Sequence, residues 1–317
     1  MRRPLLAVAC LALSCSATAP PPAAGTGPRV VVLGTAQDGG VPHAACDGAR
    51  CAAARRDPAL RRRVASLGIV AGGAGYTIDA TPDFVDQLDT LRRAVGEPYV
   101  GGTDRTPLAG IFLTHAHMGH YLGLAHLGFE AAHARDVQLW ATPRLIDFLR
   151  TNAPWDQLVA LGNVLPQPLA GGETVDLPGG VSVTALGVPH RAEYTDTVGY
   201  LVAGPNRRLL YVPDTDGWDA WRPSLEAVLE REAVDVALLD ATFYSLGELP
   251  GRDAASVRHP FVVDTMDRLQ VRVDDGLQVV FIHLNHTNPA VDPASPEGRE
   301  IRRRGFEVAF EGLEFAL

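Results

Sequence analysis

The apolar runs of this chain stop on histidine or aspartate. Residues 108–113 lead through Thr114 into His115-Ala-His117-Met118-Gly119-His120, and residues 75–78 end on Asp79. Residues 208–212 run through Pro213 to Asp214, residues 234–239 end on Asp240, and residues 277–282 end on His283. His190 follows the alternating segment 181–185 by a short turn. A buried strand ends where an ionisable group begins, because such a group cannot be buried cheaply without partners. Strand ends are also where α/β folds place their chemistry. Helix-spaced segments separate the runs, as at Phe84, Leu88 and Leu91. Strands with helices between them, in two comparable halves, predict an α/β sandwich of two sheets with helices outside.

In more detail, strands are expected at 29–33, 66–70 paired with 75–79, 137–140, 181–185, and 199–202 with 208–212 as a hairpin across Gly204-Pro-Asn. A last strand pair is expected within 306–317. Helices are expected at about 53–63, 82–95, 121–127, 143–150, 221–232 and 262–269, and further turns over 152–168.

Three imidazoles within six residues at a strand-to-helix junction can converge on one point. Imidazole is the commonest side-chain ligand of transition metals, and three nitrogens with an open fourth position make a catalytic zinc arrangement. A lone histidine or aspartate at a strand end usually caps a turn. An ordered series of them is better explained as a ligand set.

The N-terminus reads as a targeting segment. Arg2 and Arg3 precede the apolar stretch 5–13, and the small residues Ser16-Ala-Thr-Ala19 follow, as in a secretory signal. The apolar stretch is short of the roughly 20 residues a spanning helix needs. Cleavage after Ala19 and lipid attachment at Cys15 are both compatible with it, so any membrane contact is expected only through an anchor at Cys15. The chain is therefore expected to be exported, periplasmic or held at the envelope. Residues 1–19 form the signal, 20–28 a Pro/Gly tether, and 29–317 one domain.

The whole chain carries a net charge of −9, and losing the leader removes basic residues but no acidic ones. An acidic surface argues against nucleic acid as a partner, since phosphate contacts need clustered Lys and Arg; a small-molecule substrate is expected. Cys46 and Cys51 remain in the body of the chain. An oxidising compartment favours a disulfide between them, with half of a small metal site as the competing reading.

The order His115-x-His117-x-Gly119-His120, then His190, Asp214 and His283, resembles the metallo-β-lactamase superfamily. Within it, Gly34-Thr-Ala-Gln-Asp-Gly-Gly-Val-Pro42, Leu239-Asp-Ala-Thr-Phe243 and Phe281-Ile-His-Leu-Asn-His-Thr-Asn-Pro289 resemble the branch of coenzyme PQQ synthesis protein B. The resemblance runs from residue 29 to about 316. It implies an αββα sandwich with a metal cleft between the sheets and a zinc-dependent hydrolase acting on a small ester, lactone, amide or phosphodiester through metal-activated water.

By that resemblance His115, His117 and His190 make the first metal site, His120 and His283 belong to the second, and Asp214 bridges the two. Asp214 and His283 are also the expected catalytic pair. Asp79 is expected to brace the motif loop from behind. The superfamily pattern has Asp where this chain has Gly119, so one tight zinc and one weak one are expected. His286 or Asp216 is a candidate replacement ligand, and Gly119→Asp is expected to raise the metal stoichiometry. Tyr244, His259, His43 and Tyr121 are candidates for the substrate side of the cleft. The alternative function is a non-hydrolytic binding or carrier protein related to PQQ biosynthesis; a strict β-lactamase is a third reading.

Overall fold

The computed structural model describes residues 27–96, 102–191, 193–253 and 257–317. The expected signal, Cys15 and the tether as far as residue 26 lie outside the described residues.

Two mixed sheets stack face to face. The first runs, in spatial order, Glu314–Ala316 (β14), Arg29–Gly34 (β1), Ser66–Ala71 (β2), Ala74–Ile78 (β3), Gly110–Phe112 (β4), Val137–Ala141 (β5) and Val164–Pro168 (β6). The second runs Glu307–Val308 (β13), Gln278–Ile282 (β12), Val236–Asp240 (β11), Arg208–Val212 (β10), Val198–Ala203 (β9), Val181–Gly187 (β8) and Thr174–Leu177 (β7).

The directions of these strands decide where the polar strand ends meet. In the first sheet β1 is antiparallel to β2 and β2 to β3, while β3 and β4 are parallel. The C-terminal ends of β1, β3 and β4 therefore share one rim. In the second sheet β8 and β9, then β9 and β10, are antiparallel, while β10, β11 and β12 are parallel. The ends of β8, β10, β11 and β12 likewise share one rim.

The strands are apolar on both faces because each sheet is covered on both sides. Val30, Val32, Leu67, Ile69 and Ile78 of the first sheet meet Val183, Tyr200, Val202, Leu209 and Tyr211 of the second in the central core. The alternate residues Leu210, Val212, Leu239 and Phe281 point outward, against Leu225 and Val228 of Leu225–Arg231 (α6) and Met266 and Leu269 of Val262–Asp274 (α7). On the opposite outer face Ile111, Leu113 and Leu139 pack on Leu145 and Leu149 of Pro143–Thr151 (α4). Helix starts follow local chemistry: Thr142 and Ser224 accept hydrogen bonds from the backbone amides of Leu145 and Ala227.

Several expected elements move, and proline or tertiary contact accounts for most of the shifts. The helix expected at 53–63 is Ala49–Arg56 (α1), because Asp57 before Pro58 is extended. The helix expected at 221–232 begins only at Leu225, after Pro223. The helix expected at 121–127 is one α turn, Met118–Tyr121 (α3), followed by a tighter 3-10 segment, Leu122–Leu127. There Gly123 presses against the Thr81 carbonyl, 2.2 Å from where a β-carbon would stand, and donates its N–H to Ala80. The stretch expected as turns holds the helix Trp155–Ala160 and β6. The terminal segments do not pair with each other: β13 joins β12, and β14 joins β1.

Candidate metal centre

The shared rims bring the strand-end residues together between the sheets. His115 Nε2 lies 2.9 Å from His117 Nδ1, and His190 Nε2 lies 3.2 Å from the same atom. Asp214 Oδ2 stands 3.1 Å from His190 Nε2 and 3.5 Å from His115 Nε2. Imidazole nitrogens and a carboxylate oxygen at such spacings surround a point that an ion can occupy.

A second cluster shares Asp214. It comprises Asp38, His120, Asp214 and His283, whose ligand atoms all lie within 4.8 Å of one another. Asp38 Oδ1 is 3.2 Å from His120 Nε2 and 3.5 Å from His283 Nε2, and Asp214 Oδ2 is 3.9 Å from His120 Nε2.

The nitrogen of each imidazole that faces away from the clusters is held from behind. His120 Nδ1 donates to Asp79 Oδ2 at 2.7 Å. Asp79 Oδ1 in turn accepts from the Thr114 amide at 2.8 Å and its hydroxyl at 2.9 Å. His190 Nδ1 meets Asp216 Oδ1 at 2.9 Å, and His117 Nε2 meets Glu193 Oε2 at 3.0 Å. His115 Nδ1 faces the Thr114 hydroxyl at 2.9 Å and His283 Nδ1 the Thr242 hydroxyl at 3.0 Å. Such partners fix the tautomer and the ring angle of a ligating histidine. Asp79 and His283 also sit in the left-handed backbone region, at φ 68° and 64°. For a residue with a β-carbon that conformation costs roughly 1–2 kcal/mol, and the buried hydrogen bonds of both side chains offset it.

Electrostatics separates the roles. Burial drives the pKa of His115 well below the ordinary value, keeping it neutral. Burial opposes a charge on His120 too, but Asp79 outweighs it and lifts that pKa well above the ordinary value. For Asp214 burial works against ionisation, and the imidazoles of His115, His117 and His190 overcome it, holding the carboxyl well below the usual range. His259 Nδ1 lies 2.9 Å from Asp240 Oδ2 and 3.3 Å from Asp214 Oδ1. Its burial is outweighed by those carboxylates, and its pKa rises to about 9.

The fit of a metal can be tested on polar atoms left without partners. Asp38 Oδ1, His120 Nε2, Asp214 Oδ1 and His283 Nε2 are all buried with no hydrogen-bond partner. Orphaned buried polar atoms are costly, and all four come from the residues of the second cluster. Imidazole nitrogens and carboxylate oxygens converging in this way suit a divalent transition ion such as zinc.

Other sequence candidates fall elsewhere. Asp216 does not replace the missing ligand; it braces His190 and pairs with Arg258 at 3.1 Å. His286 does not replace it either: its ring lies tilted against that of His43, centroids 4.3 Å apart, beside Cys46 and Cys51. Those two cysteines are free thiols and not the disulfide expected; Cys51 Sγ accepts from the His43 amide at 3.3 Å. Tyr244 is partly buried against the outer core of the second sheet. Tyr121 is buried against Trp155 and Phe148. Glu193, Thr114, Thr242 and Asp38 carried no expected role. Asp38 had a signal: it is a carboxylate in the glycine-rich loop that closes β1, on the shared rim.

Residues 76–284 match the Beta-lactamase superfamily domain. The chain belongs to that superfamily. Among curated relatives it is similar to coenzyme PQQ synthesis protein B of Methylobacterium radiotolerans, 29% identical over 91% of this chain and 100% of that protein. The same protein of Cupriavidus necator is 28% identical over 90% of this chain and 98% of its own length. Among solved structures, zinc-bound PqqB from Methylobacterium extorquens superposes with a TM-score of 0.74 at 24% identity, covering 91% of this chain and 100% of that one. A diphosphatase of the PhnP family superposes at 0.64 and 22% identity, covering 91% and 96%. The two-sheet architecture is that of the superfamily, as the resemblance implied.

Proposed function

We propose that this chain is an exported, zinc-dependent hydrolase of a small ester, lactone, amide or phosphodiester. The observation that carries the reading is the closed set of donors: His115, His117, His190 and Asp214 aim at one point, and each imidazole is braced from behind. Zinc held there would activate water near neutral pH and would stabilise developing negative charge.

The chain's own residues set the conditions for that chemistry. His115, neutral through burial, offers its lone pair at Nε2. His190 and His117 are turned toward the same point by Asp216 and Glu193. Asp214 keeps its charge and links the two clusters. His259, protonated below about pH 9 and 3.3 Å from Asp214 Oδ1, holds a proton at the edge of that carboxylate. The zinc named for the PqqB structure and the hydrolytic activity named for the PhnP-family diphosphatase are properties of those proteins, and they support the reading here. Export rests on the N-terminal pattern; among the described residues no helix is long and apolar enough to cross a membrane.

Near full-length similarity to PQQ synthesis protein B favours a second reading, a binding or carrier protein of PQQ metabolism without hydrolysis. Counting zinc, iron and manganese in purified residues 20–317, then screening chromogenic esters, lactones, phosphodiesters and a cephalosporin, separates them. One or two zinc equivalents with chelator-sensitive turnover are expected. A protein that takes up no metal after zinc addition, or loads fully and turns over none of the panel, belongs to the second reading.

A further inference from the structure

Position 119 lacks the carboxylate that the superfamily pattern puts there, and the structure shows why nothing else stands there either. A β-carbon on Gly119 would lie 2.3 Å from Asp38 Oδ1 and 2.7 Å from Asp38 Cα. The second of these is a backbone atom that cannot swing aside. A side chain at 119 and Asp38 in its present place exclude one another.

We propose that Asp38 is the carboxylate ligand of the second metal, delivered from the loop after β1, and that Gly119 is the vacancy that admits it. This rests on the metal-hydrolase reading above. Asp38 Oδ1 stands 3.2 Å and 3.5 Å from the Nε2 atoms of His120 and His283. Neither contact is directed as a hydrogen bond: all three atoms are buried and partnerless, so they face a shared point and do not satisfy one another.

The loop that carries Asp38 is placed by the second sheet. Gln37 N–H donates to the Leu284 carbonyl, and Leu284 N–H to the Thr35 carbonyl, both at 2.9 Å. Leu284 adjoins His283, so one short backbone ladder fixes the position of Asp38 relative to that histidine. Gly40, at φ 65°, turns the chain away with its N–H on the Gln37 carbonyl. The ligand has moved in sequence by 81 positions and across the fold to another strand end, while the second cluster keeps two imidazoles and two carboxylates.

The exchange makes Gly119→Asp alone a collision and not a gain of ligand, opposite to what the sequence implies. The test is zinc titration of metal-stripped residues 20–317, with chelator competition for each equivalent and circular dichroism to verify folding. Wild type is expected to take two equivalents. Asp38→Ala is expected to take one, with the first unchanged. Asp38→Asn, which keeps the shape without the charge, is expected to weaken the second equivalent by at least the 10- to 100-fold typical of lost outer-shell partners. The exchange variant Asp38→Gly with Gly119→Asp is expected to take two again.

Wild type that saturates at one equivalent overturns the proposal. So does Asp38→Ala that keeps two with unchanged competition, or an exchange variant that folds yet stays at one. Wild type that binds no zinc sinks the hydrolase reading along with it. Two equivalents in both wild type and Asp38→Ala remove Asp38 alone and leave that reading standing.

Discussion

Asp79 and His120 meet at 2.7 Å with both side chains fully buried. Asp79 comes from the end of β3 and His120 from the helical turn that begins at Met118, so this one contact locks the histidine motif onto the neighbouring strand. The same carboxylate takes two hydrogen bonds from Thr114, the residue before His115. A single buried carboxylate thus orients imidazoles of both clusters.

Asp79→Ala should therefore damage stability and metal binding together. Removing one partner of a buried charged pair costs about 3–5 kcal/mol, and Thr114 loses its acceptor. Urea denaturation of metal-free protein should show that loss. Zinc competition at His120 should weaken 10- to 100-fold. A variant with wild-type stability and affinity would remove Asp79 from its bracing role.

Replacing His115 and His117 together by Ala should abolish tight metal binding and reduce hydrolysis to background. Elemental analysis of the double variant reads the first, and the substrate panel the second. Both histidines lie beyond the end of β4, outside the core shared by the sheets, so circular dichroism should still report a folded domain. Full metal content in that variant would contradict the assignment of the first cluster.

The pKa of His259 rises from 6.5 to about 9 in the folded protein. A raised pKa means the folded state binds the proton more tightly than the unfolded chain does. The associated stability is complete below about pH 6.5 and is lost as pH rises through about 9. Metal-free wild type should accordingly lose urea resistance between those values, and His259→Gln should remove that component. An identical slope in both proteins would place the titration elsewhere.

Tyr200 is wholly buried, and its hydroxyl donates to the Leu113 carbonyl at 2.7 Å. That bond crosses from the second sheet to the backbone just ahead of the histidine motif. Tyr200→Phe leaves a buried carbonyl unpaired and should cost about 1–3 kcal/mol, measured as a shifted urea midpoint. The ring itself stays packed against Phe112, so the denaturation slope should not change.

Cys46 and Cys51 are free thiols, with Cys51 almost wholly buried and Cys46 partly exposed. Intact mass of residues 20–317 should not change on reduction, and Cys46 should alkylate faster than Cys51. A mass that rises by two hydrogens on reduction would restore the disulfide.

The central strands were legible because the interiors of β10, β11 and β12 are apolar and stop abruptly, and the His115–His120 motif was legible because its spacing is local. Helix limits were harder. Pro58 and Pro223 shortened two of them by a rule readable in sequence, but Gly123 bends its segment through contact with Thr81, 42 residues away. β6 was missed because Val164–Pro168 carries two prolines and little alternation.

The sequence by itself determined the residue types that end each strand, because burial of a sheet on both faces leaves ionisable side chains only at its ends. It thereby indicated the imidazoles and Asp214 as one set. Only the tertiary structure decided which further carboxylate joins them. Asp38 reaches the second cluster because the directions of β1 and β12 put their ends on facing rims, and because Gly119 leaves the space. Strand direction and the volume of a missing side chain are properties of packing, and neither is written in the spacing of residues along the chain.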